Sequence, residues 1–300
     1  TEFVRITNHC LPAKVFYRFC PELYNNSLTP SGTPVYIQLL GGKPEPMAMN
    51  AQRAAQLGAA GIDINFGCPA KTVNRNDGGS VLLKEPQRVF DIVKAVRDAV
   101  PLETPVTVKI RLGFSDRSLL DDVCQAIFSA NANELTIHAR TKEDGYKPPA
   151  YWDAIAAIQQ KSPIPIIANG EIWSIADYQN CVAQSNCQDI MLGRGILSCP
   201  DLAQQIKSAN HNIDTSTLEW KNVVNLLDQF CTVTSQEYEP KYVGNRIKQW
   251  LGYLRRQYTH AESLFEAVKR LKSPEEISAA IEQHRFDLDN NDKAMLKIAI

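Results

Sequence analysis

The chain has 300 residues, 44% of them hydrophobic and 22% charged, which suits a soluble globular enzyme of one large domain, or of one large and one small. Its net charge of −1 excludes a globally basic nucleic-acid binder, and the chain holds neither an apolar run of membrane-spanning length nor an opening signal peptide. The eight cysteines are scattered with no C-x-x-C pair, which points to free thiols in a reducing, cytoplasmic setting and away from a structural zinc site.

In chain order, residues 1–4 read as the tail of a strand. Residues 35–39 predict a strand ending in Gly41-Gly42, and 48–60 a helix rich in alanine. Residues 62–65 form a strand that runs into Gly67-Cys68-Pro69. Residues 86–100 predict a helix with an apolar stripe at Val89, Ile92, Val93 and Val96 and a proline in its first turn. Residues 106–112 are a strand closed by Gly113, followed by a helix at 119–129 and a strand at 135–138. A helix at 151–160 leads to a strand at 164–168 closed by Asn169-Gly170. A helix at 175–183 leads to a strand at 189–192 closed by Gly193-Arg194-Gly195, and a short helix follows at 202–208.

Nearly continuous apolar strands alternating with helices imply a parallel sheet covered on both faces. Gln38, Asn65, Cys68, Lys109, His138, Asn169 and Arg194 stand at or just past the C-terminal ends of successive strands. A closed barrel gathers such ends into one ring, whereas an open sheet spreads them along a line with one crevice. The expected fold is therefore α/β, a (β/α)8 TIM barrel over residues 1–213. A barrel needs eight strands. Six full strands, the tail of a seventh and no initiator Met place the first strand ahead of Thr1.

After Asp214 the strand pattern stops. Residues 218–235, 243–258, 261–271 and 274–284 predict four helices, a small helical bundle domain over 214–300 with a polar tail at 287–292. Residues 241–272 hold eight cations, among them Arg246 and Lys248, against Glu262 and Glu266 only. Such a segment in a nearly neutral protein is either a polyanion-binding face or a solvated helix face. Trp250 and Tyr253 read as core packing more than as base-stacking groups.

Cys68 lies between a glycine and a proline directly after a buried strand, on a tight turn at the barrel mouth. An ordinary thiol is mostly protonated at neutral pH and can donate a proton. A structural cysteine explains the residue alone equally well, and the surrounding polar ring favours chemistry. Lys109 and Arg111 alternate along their strand and share one face, where two cations require an anionic or electron-rich partner. Lys109 also suits the Schiff base of an aldolase. His138 alone reads as a satisfied core histidine more than as a catalyst, and Arg140 and Thr141 after it at a strand end make it a ligand-facing candidate. Asn169-Gly170-Glu171 and Gly193-Arg194-Gly195 match the phosphate site that barrels form after their last two strands. Gly78-Gly79, in the loop after Cys68, reads as a lid or as plain turn chemistry.

Six segments taken together resemble the tRNA-dihydrouridine synthases: Gln38-Leu39-Leu40-Gly41, Asn65-Phe66-Gly67-Cys68-Pro69, Val108-Lys109-Ile110-Arg111, His138-Ala139-Arg140-Thr141, Asn169-Gly170-Glu171 and Gly193-Arg194-Gly195. Arg246-Ile247-Lys248-Gln249-Trp250-Leu251 is similar to the C-type bacterial branch, which acts at uridine 16 of the D-loop. The resemblance implies bound FMN, NADPH as reductant, tRNA as substrate and no obligate protein partner. It implies Cys68 as the proton donor, and Gln38 and Lys109 at the flavin ring. It places His138, Asn169, Gly170, Glu171, Gly193 and Arg194 on the ribityl chain and phosphate. Asn65 and Arg111 face the uracil, with Arg5, Arg246 and Lys248 on RNA. Two departures stand out. The family's opening strand with a Pro-Met pair is not in the chain, and the loop reads Asp77-Gly78-Gly79-Ser80 where the family has small residues before the glycines. A flavoenzyme of the dihydroorotate or dihydropyrimidine type and a non-catalytic RNA-binding protein are the rival readings.

Overall fold

Seven short runs between turns become strands in the computed structural model, which describes residues 1–211, 213 and 216–298. They are β1 (Val4–Arg5), β2 (Ile37–Leu40), β3 (Ile62–Asn65), β4 (Val106–Arg111), β5 (Glu134–His138), β6 (Ile166–Asn169) and β7 (Asp189–Met191). All pairings are parallel, in the order β1-β2-β3-β4-β5-β6-β7. A doubly wound sheet reverses its order at a switch point. This sheet never does, so it is the wall of the barrel type expected from the sequence. Among the described residues β1 and β7 are not paired with each other.

The connecting helices are α1 (Ala13–Phe19), α2 (Pro44–Gln56), α3 (Lys71–Arg75), α4 (Pro86–Ala99), α5 (Leu120–Ser129), α6 (Asp153–Gln159) and α7 (Ile175–Ser185). Prolines open α2 and α4, where the missing N–H costs nothing. Val89, Ile92, Val93 and Val96 of α4 are all fully buried, as their spacing predicts. Most expected boundaries moved by a few residues, and two elements show why. β2 starts at Ile37 because the Val35 N–H is taken by the Ser27 carbonyl. α2 starts at Pro44 and stops at Gln56, just before Gly58 at φ 89°.

The chain divides into two compact units. The first is Thr1–Glu171 with Gln179–Met191, and the second is Ile172–Tyr178 with Leu192 onward. The second contains α8 (Gly195–Ser198), α9 (Leu202–Asn210), α10 (Trp220–Glu237), α11 (Pro240–Leu254), α12 (His260–Val268) and α13 (Pro274–Ile298). Its core joins Trp220, Val223 and Leu227 of α10 to Ile247 and Leu251 of α11, Leu264 of α12 and Ile277 of α13. α13 continues past His284 because residues 285–298 contain no glycine or proline to stop it. Asp214, the expected first residue of the helical domain, lies outside the described residues. No helix among the described residues is long and apolar enough to cross a membrane.

Candidate active site

The parallel register sets Asn65 beside Lys109, Arg111 beside His138, and His138 beside Asn169. Side chains alternate along a strand, so Asp63 and Asn65, and Thr107, Lys109 and Arg111, share one face. The intervening Ile62, Ile64, Val106, Val108 and Ile110 are fully buried. Strand alternation alone therefore lines the interior with polar groups, which concentrate toward the C-terminal ends.

Two hydrogen-bonded chains cross this interior. In the first, Thr107 Oγ1 donates to Asp63 Oδ1 at 2.7 Å, and Gln38 Nε2 donates to Asp63 Oδ2 at 2.5 Å. Asn65 Nδ2 donates to Gln38 Oε1 at 2.7 Å, and Asn65 Oδ1 accepts the backbone N–H groups of Gly67 and Cys68, both at 2.9 Å. In the second, Lys109 Nζ donates to Asn169 Oδ1 at 2.8 Å, and Asn169 Nδ2 donates to the Met191 carbonyl at 2.8 Å. Burial pushes Lys109 down to about 8, opposed by the charge of Asp63 and reinforced by that of Arg111. Burial raises Asp63, while the donors Gln38 and Thr107 and the nearby Lys109 hold it toward the ionised form.

Arg111 is 3% exposed and ties two loops together, those after β3 and β5. Its Nε donates to the Gly67 carbonyl at 2.8 Å, and its Nη1 donates to the carbonyls of Thr141 and Gly145, both at 3.1 Å. The Tyr146 ring lies 5.1 Å from its guanidinium carbon, and the His138 ring meets Tyr146 edge-on at 6.1 Å. Arg140 is wholly buried, with Nη2 on Glu171 at 2.6 Å and Nε on the Pro149 carbonyl at 3.0 Å, and its Nη1 has no partner. Gly170 sits at φ 116°, where a Cβ would come within 3.3 Å of the His138 ring, so this strand end accepts only glycine.

The loop after Cys68 is fastened along its length. The Cys68 carbonyl accepts Asn74 Nδ2 at 2.9 Å, Ser80 Oγ at 3.0 Å and Ser80 N at 3.1 Å. Arg5 Nη2 donates to the Asn76 carbonyl at 3.0 Å. Gly79 adopts φ 67°, and a Cβ there would lie 2.7 Å from the Cys68 carbonyl oxygen. Of the two readings of Gly78-Gly79, the turn is the one this geometry carries.

The second unit holds the remaining expected residues. Gly193 and Arg194 follow β7, and the Arg194 guanidinium lies 5.1 Å from the Trp173 ring centroid. Arg256 lies 4.0 Å from the same ring. Arg246, exposed on α11, stacks at 3.8 Å on the Tyr238 ring. Lys248 is half-buried and its Nζ donates to the Leu271 carbonyl. Trp250 meets the Phe230 ring edge-on at 5.1 Å and donates to the Leu197 carbonyl at 3.0 Å, so it packs within its unit.

Sequence reasoning missed Asp63, Thr107, Asp77, Arg88 and Tyr146. Asp63 was detectable, because an acidic residue alternating with isoleucines inside a parallel strand breaks the apolar run. Inward amide donors and the inward cations Lys109 and Arg111 suit an electron-rich ring that carries carbonyl acceptors. That donor set, with glycine forced at position 170, fits a flavin.

Known proteins are similar to this one over nearly the whole chain. The dihydrouridine synthase (Dus) family model matches residues 1–289. A Shewanella oneidensis protein named tRNA-dihydrouridine(16) synthase is 48% identical over 289 residues, 96% of this chain and 90% of that one. Proteins of the same name from Vibrio cholerae and Yersinia pestis are 47% and 46% identical, over 96% and 94% of this chain and 88% and 89% of theirs.

Proposed function

The chain belongs to the dihydrouridine synthase family, and from that premise we propose that it is a flavin-dependent enzyme reducing the C5=C6 bond of a tRNA uridine, U16 of the D-loop, to dihydrouridine. The observation that carries this reading is Cys68 anchored at the rim by its N–H and by three bonds to its carbonyl. The flavin is FMN and the ultimate reductant NADPH. Gln38 and Lys109 would meet the flavin ring, and His138, Asn169, Gly170 and Glu171 its chain. Gly193 and Arg194 are the candidates for a phosphate. When bound, the flavin supplies hydride for C6 of the uracil.

The chain's own residues do the rest. The uracil double bond is conjugated to the C4 carbonyl, so reduction leaves C5 in need of a proton. The Cys68 thiol donates it from the loop. The Lys109 ammonium offsets negative charge that develops at the cofactor edge. Asn65 orients the Cys68 loop, and Arg111 braces that loop against the one bearing Tyr146 while facing the uracil. The target base has to leave its stack, which tRNA loops allow at small cost. Arg5 on the barrel and Arg246 and Lys248 on α11 contact RNA.

Mapping dihydrouridine in tRNA from cells with and without this protein tests the reading. Loss of the modification at position 16 is expected. Intact dihydrouridine in the cells lacking it, or reduction of free uracil or orotate by the purified protein, would overturn it in favour of a small-molecule flavoenzyme.

A further inference from the structure

We infer that Asp63, which the proposed chemistry does not use, is a positioning residue for Cys68, acting through the amides of Gln38 and Asn65; this rests on Cys68 being the proton donor. The argument is one of donor and acceptor polarity. A carboxylate only accepts, and both Asp63 oxygens are occupied, one by Thr107 Oγ1 at 2.7 Å and the other by Gln38 Nε2 at 2.5 Å. With Nε2 committed to Asp63, the Gln38 oxygen has to face Asn65, and it accepts Asn65 Nδ2 at 2.7 Å. With its nitrogen committed in turn, Asn65 presents its oxygen to the Gly67 and Cys68 N–H groups, both at 2.9 Å.

An amide flips readily between its two ends, and nothing in a Gln–Asn pair alone selects one sense. The donor-only N–H groups of Gly67 and Cys68 favour one sense at the far end, and the acceptor-only carboxylate at the start holds Gln38 in that same sense, so the chain is locked from both ends. Were the order reversed, Asn65 would aim an NH₂ group at two backbone N–H groups, which repels the turn that carries the thiol. Asp63 lies on β3 two residues before Asn65, but its influence runs through β2 and back. The carboxylate thus fixes the turn from below, without touching it.

The test is hydrogen exchange at single amides in the full-length protein. Asp63→Asn keeps the shape and abolishes the one-way polarity. Exchange at Gly67 and Cys68 is expected to rise about tenfold, the worth of one lost hydrogen bond. The neighbouring Phe66 amide, bonded to the Lys109 carbonyl at 2.8 Å, is expected to keep its rate. Unchanged Gly67 and Cys68 amides, or equal acceleration at Phe66, would overturn the assignment. Gln38→Leu cuts the middle link and is expected to give the same selective pattern, which keeps the question decidable when Asp63→Asn does not fold. Protected Gly67 and Cys68 amides in that variant also overturn it. For Asp63→Asn, kcat on tRNA is expected to fall about tenfold at constant KM, from a displaced donor. An unchanged kcat despite freed amides reduces the relay to scaffold and rejects the inference. Exchange is read without turnover, so its failure is separable from failure of Cys68 as the acid, which Cys68→Ala measures.

Discussion

Arg88 closes on Asp77 with both terminal nitrogens, while its Nε lies 2.8 Å from the Gly42 carbonyl oxygen. Asp77 adopts φ 60°, and a Cβ on Gly42 would come 2.0 Å from the Asp77 carbonyl oxygen. A helix residue, the loop after Cys68 and the turn after β2 are thereby locked together. Arg88→Leu is expected to raise protease cleavage and hydrogen exchange within residues 70–80 several-fold. Global stability is expected to fall by only about 1 kcal/mol, because both partners are partly exposed. Limited proteolysis alongside denaturant melts checks both halves, and an undisturbed loop would reject the clasp.

Cys68→Ala is expected to lower turnover by ~10²–10⁴, the usual worth of a positioned acid, with flavin content unchanged. The visible flavin spectrum of the purified variant and its rate on tRNA measure the two effects separately. Wild-type turnover would remove the thiol from the mechanism.

Lys109 predicts a pH dependence with a definite sign. Burial favours the neutral amine, so the proton leaves near pH 8 and not near the ordinary 10.5. The unfolded chain keeps that proton up to the ordinary value, so between the two this residue makes stability rise with pH. Function runs the other way, because the ammonium is the form that holds an electron-rich ring. FMN affinity, followed by flavin fluorescence, is expected to weaken as pH rises through about 8. In Lys109→Arg, whose guanidinium stays charged, it is expected to stay level. Parallel curves for the two proteins would assign the titration elsewhere.

Arg140 is 0% exposed and pairs with Glu171 at 2.6 Å. Arg140→Met removes one partner of a largely buried ion pair and is expected to cost ~3 kcal/mol. A shift of the urea midpoint at constant slope measures it, and a loss below ~1 kcal/mol would mean that solvent reaches Glu171 freely.

Arg246 and Lys248 stand two residues apart on α11, and Lys248 braces its helix besides reaching toward RNA. Arg246 is exposed on the Tyr238 ring, whereas Lys248 is half-buried and bonds the Leu271 carbonyl. Arg246→Glu is expected to weaken tRNA binding and flatten its salt dependence by about one unit of slope, with the melting temperature held. Lys248→Ala is expected to cost about 2 kcal/mol of stability, the worth of a hydrogen bond from a charged donor. Binding titrations at several salt concentrations and thermal melts separate the two.

The strands were legible because apolar runs between turn residues leave little choice, and the ring of site residues because each lies near the end of such a run. Asn65, His138 and Asn169 end their strands as that reasoning has it, whereas Gln38 and Lys109 stand inside theirs, two residues before the end. Asp63 was legible too, as the one acid breaking the run Ile62-Asp63-Ile64, but reading the segment only as a strand passes over it. The Arg88 clasp was out of reach for another reason. Its partners lie 11 and 46 residues away in the chain, and an arginine on a helix carries no local mark of what it will hold. Composition counted Lys248 as one more free cation, because only folding brings the Leu271 carbonyl under its ammonium.

Odd and even positions of β4 live in different worlds: Thr107, Lys109 and Arg111 share the polar face with Asp63 and Asn169, while Val106, Val108 and Ile110 are fully buried on the other. One inserted residue anywhere before Lys109 in that strand would exchange the two sets at a stroke, stranding two cations under the helix layer and filling the reaction chamber with hydrocarbon. A single-residue insertion inside β4 is therefore expected to abolish the site, whereas the loops that follow the strands can change length without turning these faces over.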